Sequence, residues 1–250
     1  MNTANWTRSV CSVLLLVALL CGRSCPAAEP DPGVAVEVTA DVFSKYVWRG
    51  QNVTDDWVFQ PGVSASYRGA TVGYWGNLDL TDENGQSGEF IEHDWYAGYS
   101  TAVTDLVGLG FGAIYYYFPG ADDTTEVYWE IGLDVPASPA VTFFHDVDAV
   151  DGTYASLSLS HSLEDLWDMP FRVDLGAGLG WGSQSYNEAY WGVDTSELND
   201  LTLTAGFPFE VAGVNVTPAV SYIALLGSDI RDAADDDDLF VAGVALAKGF

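Results

Sequence analysis

The chain of 250 residues carries 36 acidic side chains against only 8 basic ones, a formal net charge of −28. This balance excludes a nucleic-acid partner, because binding to phosphates depends on lysine and arginine side chains, which are scarce here. Apolar residues make up 48% and aromatic residues 14% of the chain, which is too rich for an acidic disordered protein.

The first residues have the pattern of a secretory signal peptide. An apolar run over residues 10–21 follows a basic residue and precedes small residues at 26–28. The run is well short of the ~20 residues that a spanning helix requires. We predict a cleaved signal peptide at 1–28, a short periplasmic lead-in at 29–34 and a single domain at 35–250. All three cysteines precede the predicted cleavage point, so the exported domain would contain no disulfide bond.

Beyond this point the chain consists of short segments of alternating polarity, separated by clusters of Gly, Pro, Asp and Asn. The clearest runs from Phe171 to Gly182, where apolar side chains at odd positions alternate with glycine or charged residues at even positions. Such a pattern predicts β-strands with one apolar face. Twelve strands are predicted, or ten if two weak segments merge, at residues 35–48, 57–67, 70–79, 90–100, 106–117, 126–135, 140–147, 153–162, 170–182, 200–210, 213–226 and 239–250.

The connections between these strands alternate in character. Acidic loops such as Leu80–Glu89 and Ser183–Asn199 follow the odd-numbered strands, and short turns such as Arg68-Gly69 follow the even-numbered ones. This alternation is typical of bacterial transmembrane barrels with both termini in the periplasm. We therefore predict an all-β protein, an antiparallel up-and-down β-barrel of the outer membrane. A soluble secreted β-sandwich shares the alternating strands and is the alternative fold.

Aromatic residues favour the barrel over the sandwich. Tyrosine and tryptophan lie at the ends of the apolar strand faces, where the interfacial girdles of membrane barrels belong. These residues are Trp57, Tyr67, Tyr99, Tyr115, Tyr117, Trp181 and Tyr222.

The final segment, Asp238–Phe250, is predicted to pair with strand 35–48 and so to close the barrel without a free edge. Its last residue, Phe250, resembles the terminal signal through which outer-membrane proteins engage the barrel-assembly machinery. We expect that machinery and outer-membrane lipid as partners. Lys248 is a cation on the apolar face, and we expect it at the periplasmic interface, where it can snorkel.

Three segments near the start carry a family resemblance. They are Asp41–Thr54, which contains Tyr46-Val-Trp-Arg-Gly50, then Gln60-Pro-Gly-Val63, and Gly73-Tyr-Trp-Gly-Asn-Leu-Asp79. Together they resemble the opening of the Gcw_chp-type family of bacterial proteins, which carry signal peptides, are predicted outer-membrane barrels and have no established biochemical role. The usual Ser-Gln-Thr of that family is replaced by Gln51-Asn-Val-Thr54. The resemblance implies location and fold, and it implies no reaction.

Polar strand faces that point inward would give the barrel an acidic lumen. The predicted lumen-lining residues are Glu37, Asp41, Lys45, Arg49, Arg68, Trp75, Glu92, Asp94, Glu126, Glu130, Asp134, Asp146, Arg172 and Asp174. Such a wall predicts a narrow porin-like channel that favours cations or small solutes. The alternative is a non-conducting structural or surface-interaction barrel, whose loop Ser183–Asn199, with Tyr186, Tyr190 and Trp191, would bind a partner outside.

The chain offers little for catalysis or cofactor binding. It contains no Gly-x-Ser-x-Gly or His-Glu-x-x-His element, so an outer-membrane hydrolase is a minor alternative and we predict no enzyme. The glycine runs have a period of two, which places all the glycines on one strand face and argues against a phosphate loop. The aspartate-rich loops at 146–152 and 232–238 lack the spacing of a calcium-binding hand. No metal or cofactor is predicted.

Overall fold

A computed structural model describes residues 33–85, 87–164 and 172–250. The predicted signal peptide, most of the lead-in and the start of the predicted strand 170–182 lie outside the described residues. The described chain forms fifteen β-strands and two short helices. No described helix has the length and apolar character needed to span a bilayer.

The elements follow one another in a regular order along the chain. They are β1 (Ala35–Phe43), β2 (Tyr46–Trp48), β3 (Gln51–Thr54), β4 (Val58–Tyr67), β5 (Ala70–Asp79), β6 (Phe90–Ala102), β7 (Val107–Tyr117), β8 (Thr124–Leu133), β9 (Ala140–Asp146), β10 (Thr153–Leu163), β11 (Val173–Gly182), α1 (Gln184–Trp191), β12 (Glu197–Gly206), β13 (Phe209–Val211), β14 (Val214–Leu225), α2 (Ser228–Ala233) and β15 (Asp238–Gly249).

Twelve of the strands form one closed antiparallel barrel. β4 to β12 pair each with the next, β12 pairs with β14, β14 with β15, and β15 with β1, which in turn pairs with β4. Each strand therefore has two neighbours and no edge remains open. The predicted barrel and its count of twelve are confirmed. The short strand β13 pairs only with β14. It is separated from β12 by Pro208, which has no N–H to donate to the strand ladder.

The connections divide the barrel into two different rims. The loop rim carries the segments 44–57, 80–89, 118–123, 147–152, 183–196 and 226–237, which include the β2–β3 hairpin and both helices. The turn rim carries the tight turns, such as Arg68-Gly69, together with the start of β1 and the end of β15. Long and short connections alternate as the sequence predicts.

Side chains along each barrel strand alternate between the outer surface and the interior. On β8, Trp129 points outward with 48% of its surface exposed, whereas Glu126 points inward and is 2% exposed. Most large exposed hydrophobic residues of the barrel strands lie on the outer face, including the predicted girdle residues Tyr67, Tyr99, Tyr115 and Tyr117. A soluble sandwich would bury this face in its core, so the apolar exterior is that of a membrane barrel.

The last strand closes the barrel as predicted. Phe43 faces Gly243 and Glu37 faces Gly249 across the β1–β15 ladder. The N–H of Phe250 donates to the carbonyl of Val36 at 2.8 Å, so the final residue is also paired. Lys248 lies near the turn rim, with its Nζ 5.3 Å from the centroid of the Phe250 ring.

The predicted first strand, 35–48, is wrong beyond Phe43. The barrel strand β1 ends there, and β2 and β3 pair with each other as a separate hairpin instead of continuing the wall. Arg49 and Gly50 form the hairpin turn with φ of 49° and 87°, a conformation that an extended strand cannot contain. Tyr46–Trp48 therefore makes no pairs with β15.

Candidate functional site

The β2–β3 hairpin, Tyr46–Thr54, folds into the barrel interior, and we call it the inner hairpin. Tyr46 and Val47 are almost fully buried in a cluster with Trp75 of β5 and with inward residues of β14 and β15. The rings of Tyr46 and Trp75 lie 5.6 Å apart. The start of its first leg thus packs against the side of the barrel from which it departs, where its apolar side chains are removed from water.

The tip of the inner hairpin is fixed to the opposite wall. Arg49 donates through Nη1 and Nη2 to the two carboxylate oxygens of Glu126 on β8, each at 2.7 Å. Its guanidinium carbon also lies 4.4 Å from the ring centroid of Phe144 on β9 and 4.6 Å from that of Tyr154 on β10. In the strand order of the barrel, β8 to β10 stand across from β1 and β4. The hairpin therefore crosses the lumen.

The contact between Arg49 and Glu126 is strong because it is bidentate, charge-assisted and nearly dry. The two side chains are 10% and 2% exposed, and the Tyr116 hydroxyl also donates to Glu126 at 2.8 Å. Aromatic faces around the guanidinium add cation–π attraction of about 0.5–2 kcal/mol. Removing one partner of such a buried pair costs roughly 3–5 kcal/mol, because the other charge stays buried and uncompensated.

The second leg of the inner hairpin is held by hydrogen bonds from uncharged donors. Thr54 donates to Asp79 Oδ1 at 3.0 Å, Asn77 Nδ2 donates to the same oxygen at 3.2 Å, and Asn84 Nδ2 donates to Asp79 Oδ2 at 2.8 Å. Gln60 Nε2 in turn donates to Asn77 Oδ1 at 2.9 Å. This network satisfies the Asp79 carboxylate without a basic partner and connects the leg to β4 and β5.

Helix α1 covers the tip of the inner hairpin. Ser183 caps the helix by accepting from the N–H of Tyr186, and Gly192 ends it in the left-handed conformation. Tyr186 is fully buried, and the ring of Tyr190 lies 5.1 Å from that of Trp48. Burial raises the pKa of both tyrosines well above the usual value, so both remain neutral phenols.

The interior differs between the two halves of the barrel. Near the loop rim the inward side chains, such as Ile114, Glu126 and Tyr154, are buried under the inner hairpin and α1. Toward the turn rim the inward residues are small and half-buried, as on β10 at Ser156 and Ser158. A Cβ placed on Gly178 would meet no atom within 4 Å. We call this open half the vestibule.

The structure places the predicted lumen residues in four different settings. Asp41, Trp75, Glu92, Asp94, Glu126 and Asp146 are buried on inward faces in the loop half, and Glu37, Glu130, Arg172 and Asp174 lie along the vestibule. Two corrections concern the hairpin: Arg49 stands at its tip, and Lys45 pairs with Asp55 at its base, so neither lies on a barrel strand. Two more concern the turn rim: Arg68 is exposed in a tight turn, and Asp134 follows the end of β8. That these residues line a conducting path stays a prediction.

Several buried acids are already satisfied by local donors. Asp146 accepts from the Thr124 hydroxyl at 2.6 Å and from the backbone N–H groups of Asp148 and Val150 at 2.9 and 3.1 Å. Arg172 Nη2 donates to Asp174 Oδ2 at 2.9 Å. These two carboxylates hold a loop and a strand end in place, and they are less available to a solute than their position on the inner wall suggests.

Sequence reasoning missed the residues that build the inner hairpin and its supports. Tyr46, Thr54, Gln60 and Asn77 were not among the predicted site residues, and Tyr186, assigned to an outward-facing loop, points inward. The available signal was the family resemblance itself. Its three segments, 41–54, 60–63 and 73–79, contain the hairpin, the Gln60 donor, and the Trp75, Asn77 and Asp79 contacts. One structural unit thus accounts for all three.

Comparison with solved structures gives the fold. The chain is similar to a KdgM porin in complex with disordered oligogalacturonate, with a TM-score of 0.53 at 11% identity over 84% of this chain and 97% of that chain. It is similar to the NanC porin with a TM-score of 0.50 at 10% identity over 85% and 97% of the two chains. An outer membrane channel from Pseudomonas putida F1 has a TM-score of 0.49 at 11% identity over 91% and 100%.

Comparison with curated proteins finds no match. A family model described as "Bacterial protein of unknown function (Gcw_chp)" matches residues 27–229, and the match includes the inner hairpin, its supports and α1. The chain therefore belongs to the Gcw_chp family.

Proposed function

We propose that this protein is a porin-like channel of the outer membrane, narrow and selective for cations or small uncharged solutes. The observation that carries the proposal is a closed, apolar-coated barrel whose inward faces carry carboxylates in large excess over basic groups. The fold likeness to the KdgM and NanC porins supports a porin-like channel as the class. The cation preference is drawn from the charges of this chain alone.

The vestibule would provide the selectivity. Glu37 and Glu130 are half-buried on its wall, and Glu130 accepts a hydrogen bond from the uncharged Thr142 hydroxyl at 3.0 Å. Arg172, the basic residue nearby, is paired with Asp174. A low-dielectric wall of this sign concentrates cations and repels anions. Oligogalacturonate, seen in the KdgM porin, is a polyanion that this acidic wall would repel, so that cargo does not carry over.

The inner hairpin would set the size limit. It crosses the lumen and fills the loop half together with α1, so a solute has to pass beside it or displace it. Its base is well suited to a deletion: Lys45 and Asp55 form an ion pair there, so a short Gly-Ser linker can replace residues 46–54. We expect this deletion to raise single-channel conductance several-fold without loss of the barrel.

Planar-bilayer recording with the exported domain tests both parts of the proposal. In a KCl gradient, the reversal potential of the wild type should indicate cation preference, and Glu37→Gln with Glu130→Gln should weaken it. Arg68→Gln, which removes an exposed charge at the turn rim, is the matched control and should leave it unchanged. Anion preference would refute the proposed selectivity, and silence in both the wild type and the hairpin deletion would refute the channel.

A second function is supported by the same filled loop half. Because the inner hairpin and α1 occupy the entrance, a barrel that never conducts and serves as a structural or surface-interaction protein fits this observation as well. Recording from the wild type separates the two, since a channel conducts with the hairpin in place, whereas a structural barrel conducts only after the hairpin is deleted. The proposed orientation, with both termini periplasmic, is tested by labelling Ser196→Cys from outside intact cells, with Glu210→Cys at the turn rim as the control.

A further inference from the structure

Two adjacent carboxylates on the inner wall have no basic partner of their own. Asp94 and Glu92 lie two residues apart on the inward face of β6, 0% and 4% exposed, and their side chains are adjacent. Neither carboxylate oxygen of Asp94 has a hydrogen-bond partner. An ionised carboxylate in such a place costs several kcal/mol unless a charge or donors compensate it.

A third oxygen reaches the same place from a different element. The hydroxyl of Tyr46, on the first leg of the inner hairpin, lies beside the Glu92 carboxylate. Tyr46 is 1% exposed, and its hydroxyl makes no well-formed hydrogen bond. Buried hydroxyl groups are almost always bonded, so a Tyr46 oxygen that approaches Glu92 without a well-formed bond is placed to share a ligand with that carboxylate.

The neighbouring donors are engaged elsewhere. Across the strand ladder, Asp94 faces Trp75 on β5 and Tyr116 on β7. The Tyr116 hydroxyl donates to Glu126, and Asn77, the partner of Glu92 in the ladder, donates to Asp79. Three carboxylates in this part of the lumen, those of Glu92, Asp94 and Glu126, thus share the single guanidinium of Arg49, which bonds to Glu126.

The other basic residues cannot supply the missing charge. After Arg23 the sequence contains six lysines and arginines, and all six lie within the described residues. Apart from Arg49, they pair with Asp55, Asp174 or Asp237, lie in an exposed turn, or stand at the end of β15. No basic side chain of the described residues is therefore free to compensate Glu92 and Asp94, which leaves a bound cation or protonation of the pair.

We propose that Glu92, Asp94 and the Tyr46 hydroxyl bind one divalent, oxygen-preferring cation of the Ca²⁺ or Mg²⁺ class. Two carboxylates match its charge, and such ions are commonly held by one or two carboxylates with further neutral oxygens. No three histidine, cysteine, aspartate or glutamate side chains within 33–85, 87–164 and 172–250 come together as a metal site, so the third ligand here is the Tyr46 oxygen. A donor set without histidine or cysteine disfavours zinc-type binding. The bound ion would connect β6 to the inner hairpin, whether or not the barrel conducts.

The test measures cation binding by the folded exported domain in detergent. Equilibrium dialysis against Ca²⁺, and Tb³⁺ luminescence sensitised by Tyr46 and the nearby Trp75, should detect one tight site per chain. Asp94→Asn and Glu92→Gln should each lower the affinity at least tenfold, and Tyr46→Phe should lower it less. Glu188→Gln, which removes an exposed carboxylate on α1, is the matched control and should bind like the wild type.

Two outcomes would overturn the proposal. If the wild type binds no Ca²⁺ or Tb³⁺, and its infrared spectrum shows a protonated carboxyl band that Asp94→Asn removes, protons neutralise the pair. If Asp94→Asn and Glu92→Gln bind as tightly as the wild type, the cation sits on surface aspartates. Heat-modifiable gel migration verifies that each variant is folded, and the near-isosteric amides preserve the packing. The test does not measure conductance, so it remains valid even if the protein is shown not to be a channel.

Discussion

Neutralising Glu126 should release the inner hairpin from the far wall. Glu126→Gln keeps the shape of the side chain but leaves the Arg49 guanidinium, 10% exposed, without its charge partner. The loss of a partner from a buried pair costs roughly 3–5 kcal/mol, while the stacking of Arg49 on Trp48, Phe144 and Tyr154 is retained and offsets part of this cost. Because the barrel ladders do not depend on Arg49, the cost falls on the closed position of the hairpin.

The assay is cysteine accessibility, since the described chain contains no cysteine. Val47→Cys places a thiol on the buried first leg of the hairpin, where a maleimide reacts only when the hairpin opens. With tenfold for each 1.4 kcal/mol, Glu126→Gln should raise the labelling rate by about two orders of magnitude or more. Glu130→Gln, on the same face of β8 and away from the hairpin, is the control. Equal labelling rates in the two variants would refute the idea that this ion pair holds the hairpin.

Other substitutions test the packing around the same unit. Gly50→Ala should lower the temperature of the gel-mobility transition. The φ of Gly50 is +87°, and the new Cβ would lie 2.8 Å from Leu225 Cδ2. We expect the substitution to lower the free energy of unfolding by about 1–3 kcal/mol. Gly180→Ala should be similarly disruptive, since its Cβ would meet the Tyr154 hydroxyl at 2.2 Å, whereas Gly178→Ala on the same face should be tolerated. In a spectrophotometric titration, Tyr186→Phe should remove no tyrosine ionisation step below pH ~11, because burial raises the pKa of Tyr186 far above the usual value for tyrosine. Loss of a step below that pH would contradict the burial of Tyr186.

The barrel was predictable because a membrane imposes a simple rule on each strand. Residues that face the lipid must be apolar, and residues that face the interior need not be. The alternation along β8 or β11 can therefore be recognised without knowing which strands pair with them. The closing strand was predictable for the same reason, and its pairing with β1 follows from closure. The weaker boundaries, as at Phe209–Val211, depend on how a proline interrupts the ladder.

The inner hairpin was not predictable from local pattern. Tyr46-Val-Trp48 has the composition of a strand, and it extends the period of β1 closely enough to be read as its continuation. What turns it inward is a pair of residues at positive φ and a carboxylate 77 positions further along the chain. Helix α1 was not predictable from local pattern either. It has only eight residues and is capped by Ser183, and its Tyr186 packs against Trp48 and Tyr154, which are distant in the sequence.

The way the inner hairpin is attached separates its stability from that of the barrel. Around it, each of the twelve barrel strands is held by two ladders of backbone hydrogen bonds, whereas the hairpin pairs only with itself and meets the wall through side chains. Its fixed points are few: the Arg49–Glu126 pair at the tip, the Asp79 network on the second leg and the apolar packing of Tyr46. Segments held by few, local contacts open at lower free energy than the fold that carries them. The hairpin can therefore open while the barrel stays closed, which a constriction in a channel requires and a merely structural plug does not.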